Sequence, residues 1–113
     1  MNNVKKAIRL NSTDNVATLL ADTAKGDWVE VVDDNNQPVG EYEAMQDIPF
    51  GNKIALQEIN NQQVINKAGY PVGIAISLIN KGDLVHVQNV RSARVDIPQP
   101  IIQQIIQQMQ IEC

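Results

Sequence analysis

The chain carries a single histidine, His86, with the amide of Gln88 two residues beyond it. Over an extended run from Leu84 to Val90, side chains alternate between faces. Leu84, His86, Gln88 and Val90 then point one way, and Val85, Val87 and Asn89 the other. An imidazole beside an amide is suited to general-base work or to metal ligation. The competing reading is an incidental strand histidine. A metal centre would have to draw on carboxylates such as Asp47, Glu58 or Asp83, because there is no second histidine and one cysteine. Nucleophilic catalysis has less to build on. Ser12, Ser77 and Ser92 lack a nucleophile-elbow context, and Cys113 is the last residue given. Lys81-Gly82-Asp83 is a turn signal rather than a phosphate cradle. Asp33-Asp34-Asn35-Asn36 looks like half a calcium loop, but the spacing is wrong and the distal Glu is missing, so a hairpin loop is expected there.

The elements that must position these groups are short. One unit recurs: Leu19–Glu30, Ala55–Asn66 and Ala75–His86 each run from an apolar stretch through a turn into a β-favouring segment. The turns are Lys25-Gly26-Asp27, Asn61-Gln62-Gln63 and Lys81-Gly82-Asp83. Strands are expected at Lys6–Leu10, Trp28–Val32, Pro38–Met45, Lys53–Leu56, Gln63–Lys67, Val72–Ile76 and Leu84–Val90. The first hairpin turns at Asp33–Asn36. Asp14 is expected to cap a short helix over Asn15–Ala21, where Val16, Leu19 and Leu20 fall at i, i+3, i+4. Dense turn signals between short strands indicate a mainly β, compact domain and exclude a parallel βαβ layout.

Composition agrees with one modest core. The 113 residues are 43% apolar and only 4% aromatic, so Val, Ile, Leu and Ala must fill the interior. A net charge of −4 argues against nucleic acid as a partner. A lone cysteine permits no intrachain disulfide and fits a reducing compartment. No apolar run approaches the ~20 residues of a membrane span, and the first residues lack the apolar core of a signal peptide. A cytoplasmic protein that avoids membranes is expected.

The C-terminal segment has a different texture. After Pro98 and Pro100, the residues Ile101, Ile102, Ile105, Ile106 and Met109 fall on one side of a helix, with glutamines opposite. An amphipathic helix over 98–113 is therefore expected, beyond a β domain at 1–97. At about three turns it needs something to dock on. Its own domain or a second copy, giving a homo-oligomer, would serve.

Four pieces in order then suggest a family: Asp14-Asn15-Val16-Ala17, Ile48-Pro49-Phe50-Gly51-Asn52-Lys53-Ile54-Ala55-Leu56, Gly69-Tyr70-Pro71-Val72-Gly73 and Val85-His86-Val87-Gln88-Asn89-Val90-Arg91-Ser92. From Lys6 to about Arg94 the chain resembles the SAF-type domain at the front of altronate and galactarate dehydratases. It is similar also to the small subunit of sulfolactate sulfo-lyase, where that domain is a separate chain. The resemblance implies a β-clip fold and a larger partner that completes an enzyme removing water, or sulfite, from a small hydroxy acid. It implies too that a divalent metal, often iron, accompanies the dehydratases and resides mainly with the partner.

Carried over residue by residue, the resemblance makes His86 the acid–base or metal-binding group. Lys53 becomes the charge for a substrate carboxylate, and Asn52, Gln88 and Asn89 become hydroxyl-orienting amides. Two positions depart from the family. Asn52 stands where it has the histidine of Gly-His-Lys, and Gln88 where it has the second histidine of His-Val-His-Asn. Gln62 also replaces an expected turn glycine. Neither amide can take up a proton near neutral pH, and both are poor iron ligands. Two expectations follow: a small subunit of a sugar-acid dehydratase-like lyase, inactive alone, or a non-catalytic module that binds a sugar acid or regulates such an enzyme.

Overall fold

The computed structural model describes residues 4–86 and 88–91. Among them the chain forms strands and turns with no helix. The strands are β1 (Lys5–Arg9), β2 (Val16–Leu19), β3 (Trp28–Asp33), β4 (Pro38–Glu43), β5 (Lys53–Ala55), β6 (Val64–Lys67), β7 (Tyr70–Ala75), β8 (Leu84–Val85) and β9 (Val90–Arg91). One sheet runs β4-β3-β1-β2-β5-β8 and a smaller one β6-β7-β9. Among the described residues only the β1–β3 pair is parallel. The mainly β architecture is as the turn-rich sequence requires. Val, Ile, Leu and Ala fill two apolar clusters, one around Leu19, Val29, Val31, Ile48 and Ile54, the other around Ile59, Ile65, Ile79 and Val85.

Two sequence expectations need correction. The segment expected as a helix over Asn15–Ala21 is instead strand β2, flanked by β1 and β5. Val16, Ala17 and Leu19 are all buried there. A short apolar run fits either period, and a central strand with partners on both sides wins over a single helical turn. Asp14 caps no helix; its carboxylate accepts the N–H groups of Asn11, Ala68 and Gly69. The run Leu84–Val90 is not one strand either. It breaks after Val85 into a turn and resumes at Val90, in the other sheet. The expected helix over 98–113 lies outside the described residues.

The repeated unit is the organising device, and the structure adds a fourth copy. Ile59 and Ile79 exchange both backbone hydrogen bonds at 2.8 Å, so the copies at Ala55 and Ala75 embrace about a local two-fold. Gly82 N–H donates to Ala55 O, and Gln62 N–H to Ala75 O. The copy at Leu19 has the same relation to a segment starting at Ala44. Thr23 and Ile48 exchange both bonds, Gly51 N–H donates to Leu19 O, and Gly26 N–H to Ala44 O. Four equivalent turns result among the described residues: Ala24–Asp27, Pro49–Asn52, Asn60–Gln63 and Asn80–Asp83, each closed by a backbone bond of 2.9–3.1 Å.

The third residue of each turn has left-handed backbone: Gly26, Gly51, Gln62 and Gly82, with φ of 93°, 86°, 74° and 92°. That conformation costs a residue with a Cβ about 1–2 kcal/mol. Gln62 is exposed, and its side chain hydrogen-bonds Asn61 and Arg91 over 3.2–3.3 Å. Gln62→Gly is therefore expected to stabilise the domain by about 1 kcal/mol, after the extra freedom of the unfolded glycine is subtracted. A thermal melt should rise by about 4–8 °C. At Gly82 the reverse holds, because a Cβ would be driven into the carbonyl oxygen of Glu43 and to 3.0 Å from Met45 Cγ. Gly82 O also accepts the N–H of Met45 at 3.0 Å, tying the two pairs of copies together. Gly82→Ala should cost about 2–3 kcal/mol, read as a shift of the urea midpoint at unchanged slope.

Candidate functional site

Strands β5 and β8 pair antiparallel, with Lys53 opposite Val85 and Ile54 opposite Leu84. One further step of that register sets Asn52 across from His86 at the open end of the pair. That register places the backbones of Asn52, Lys53 and His86, from parts of the sequence more than thirty residues apart, at one end of the β5–β8 pair, with Asn52 and Lys53 on alternate faces. Asn52 and Lys53 are half-buried, and His86 is exposed.

His86 opens a turn. Its N–H donates to Asn89 Oδ1 at 3.0 Å, and its carbonyl accepts Asn89 N–H at 3.0 Å. The Asn89 amide also donates through Nδ2 to Leu84 O at 2.8 Å. Asn89 is thus held by the backbone on either side of His86, and what it visibly does is fix the turn that presents the imidazole. Gln88 lies within the same turn and is exposed. The strand alternation that would align it with His86 does not operate in a turn, so the two are close in sequence without sharing a strand face. The imidazole itself bonds to none of the described residues.

Among the described residues no three His, Cys, Asp or Glu side chains gather as a metal-binding group. Two of the three carboxylates that a His86 metal site would have needed already hold turns. Asp83 Oδ2 accepts Asn80 N–H at 2.9 Å, and Asp47 Oδ1 accepts Lys25 N–H at 2.9 Å. One imidazole flanked by amides does not fit a resident iron. The arrangement has a cation in Lys53, one acid–base group in His86 and an amide in Asn52 that can both donate and accept. It is chemically suited to an oxygen-rich anion of small size.

Sequence reasoning missed the fourth copy of the repeat, which runs through Asn52. Its signal was present in the spacing Ala44-x-x-x-Ile48-x-x-Gly51-Asn52, matching Ala75-x-x-x-Ile79-x-x-Gly82-Asp83. Pro49 and Phe50 in place of the polar turn residues disguised it.

Comparison with known proteins bears directly on this geometry. Residues 5–93 match the family model described as the altronate/galactarate dehydratase SAF domain. The chain is 38% identical over 92 residues to the altronate dehydratase of Escherichia coli K12, covering 81% of this chain and 17% of that enzyme. It is 34% identical over 94 residues to the altronate dehydratase of Bacillus subtilis 168, covering 83% of this chain and 18% of the enzyme. It is also 30% identical over 54 residues to the (2R)-sulfolactate sulfo-lyase subunit alpha of Chromohalobacter salexigens, covering 48% of this chain and 57% of that subunit. The chain thus spans less than a fifth of either altronate dehydratase. It belongs to the altronate/galactarate dehydratase SAF-domain family.

Proposed function

We propose that this SAF domain, in a β-clip arrangement, is the small subunit of a cytoplasmic sugar-acid dehydratase-like lyase and works with a larger dehydratase-type chain. The observation carrying this reading is the asymmetry of the matches. Four fifths of this chain aligns with under a fifth of each altronate dehydratase, while another relative is named as a subunit. Such an elimination takes a proton from the carbon beside a carboxylate and expels a hydroxyl from the next carbon. In this chain His86 would hold or deliver that proton. Lys53 would neutralise the carboxylate, and Asn52 and Gln88 would hydrogen-bond hydroxyls. Asn89 is assigned to holding His86. A divalent metal, where the complete enzyme needs one, is assigned to the partner, and no step of this chain is routed through it.

The test is affinity capture of the tagged chain from its native cells, with mass spectrometry and an altronate dehydration assay on whatever is captured. A stoichiometric large dehydratase-type chain supports the proposal; only self-association, or nothing, overturns it. A second reading is favoured by one feature, the amides at positions 52 and 88 where the family has histidines. On that reading the domain binds a sugar acid, or regulates a dehydratase, without chemistry of its own.

A further inference from the structure

Pro49 sets one of the four equivalent turns apart. In the other three the closing side chain doubles the backbone bond. Asp27 Oδ2 accepts Ala24 N–H, Gln63 Oε1 accepts Asn60 N–H and Asp83 Oδ2 accepts Asn80 N–H, each at 2.9 Å. In the fourth, Asn52 occupies the closing position and the required donor belongs to Pro49, which has no N–H. The backbone bond survives, from Asn52 N–H to Pro49 O at 3.1 Å. Among the described residues the Asn52 side chain is left with one long contact, from Nδ2 to Pro49 O at 3.3 Å.

The turn itself is not loosened. Gly51 N–H donates to Leu19 O, and Phe50 N–H to Asp22 Oδ1, both at 2.9 Å. The turn thus presents a side-chain amide at the position where its three counterparts keep a side-chain oxygen occupied. A second departure falls in the same turn. Where the other copies have Lys25, Asn61 and Lys81, this one has Phe50, with 64% of its surface exposed. Across the β5–β8 register lies His86, and Lys53 follows directly.

We infer that Pro49 is a positioning residue: by withholding a donor it reserves the Asn52 amide for an oxygen of a bound ligand. The ligand class, a small hydroxy acid, rests on the function proposed above. An amide suits such a ligand because it donates to a carboxylate and both donates to and accepts from a hydroxyl. The exposed Phe50 ring offers an apolar wall to the C–H face of the same molecule. Water fills the open amide valences before binding, so the free domain bears no large cost for the missing bond.

The test uses the ¹⁵N-labelled full chain, following Asn side-chain amide resonances while altronate, and separately galactarate, is added to millimolar concentration. The Asn52 resonances are expected to shift in the parent. In Pro49→Ala, where the substituted position gains a backbone N–H that competes for Oδ1, affinity should fall by about fivefold to tenfold, the worth of one competing hydrogen bond. Asn52→Ala should abolish the response at neighbouring backbone amides. An unmoved Asn52 with both probes overturns the inference, as does equal affinity in Pro49→Ala. A captured large chain with an unmoved Asn52 removes this inference and keeps the subunit reading; a moving Asn52 with no captured chain does the reverse.

Discussion

Asp14→Ala is expected to destabilise this domain by about 2–4 kcal/mol. The Asp14 side chain is 6% exposed, and its carboxylate accepts Ala68 N–H at 2.8 Å, Gly69 N–H at 2.9 Å and Asn11 N–H at 3.1 Å. Ala68 and Gly69 form the turn between β6 and β7, both with left-handed backbone, φ 56° and 81°. Asn15 beside it extends the clamp, donating to Val64 O and accepting Asn66 N–H, each at 2.9 Å. These bonds join the segment leading into β2 of the large sheet to the hairpin of the small one. Truncation to Ala strands three donors, each worth about 1–3 kcal/mol where water cannot replace the acceptor. Asn11 and Gly69 are exposed and can be rehydrated, while Ala68 is half-buried, so the expected loss is about 2–4 kcal/mol. Small domains have about 5–15 kcal/mol in total. Urea unfolding followed by Trp28 fluorescence should show the midpoint fall, and amide exchange at Ala68 and Gly69 should become fast. Asp14→Asn should lose less, because its amide oxygen can replace Oδ2 and keep the Asn11 and Ala68 N–H groups while its NH₂ faces only the exposed Gly69 N–H. A melting temperature within about 2 °C of the parent would overturn this account.

That clamp also shows where sequence reading stopped. The strands and the turns were legible because turn chemistry is local: Lys-Gly-Asp and Asn-Gln-Gln announce a left-handed residue and a closing acceptor within four positions. Asp14 reads as a helix cap because capping is the local use of such a side chain. Beyond Asn11, its partners and those of Asn15 lie about fifty residues onward. The short Val-Ala-Thr-Leu segment carries no periodicity able to separate strand from helix, and only pairing with β1 and β5 decides it. The break at His86 was hidden for the same reason. Val85, Val87 and Val90 suggest one strand, yet Asn89 repeats the turn-closing pattern of Asp27 and Asp83. The site was partly legible. Asn52, Lys53 and His86 were singled out in sequence and their backbones lie at one end of the β5–β8 pair, whereas the role of Pro49 emerges only when the four turns are compared in space.

His86→Ala, in the captured complex, should lower kcat for altronate dehydration by about 10²–10⁴, the usual range for a general acid or base. The same change should leave stability within about 0.5 kcal/mol. His86 is exposed and holds its turn through backbone N–H and carbonyl alone, both of which alanine keeps. That separation gives the prediction its force, since a folding defect would not explain the loss. Asn89→Ala supplies the contrast. It strips acceptor and donor from His86 N–H and Leu84 O, so activity and melting temperature should fall together, the latter by the worth of one exposed and one partly buried bond, about 1–2 kcal/mol. If His86→Ala keeps kcat within twofold of the parent, the imidazole has no chemical part. The amides at 52 and 88 then fit a module that holds a sugar acid while another chain does the proton transfer. If kcat collapses at unchanged stability and KM, one histidine at the mouth of β5 and β8 suffices for this chain's share of the elimination, and Asn52 and Gln88 act through hydrogen bonds alone.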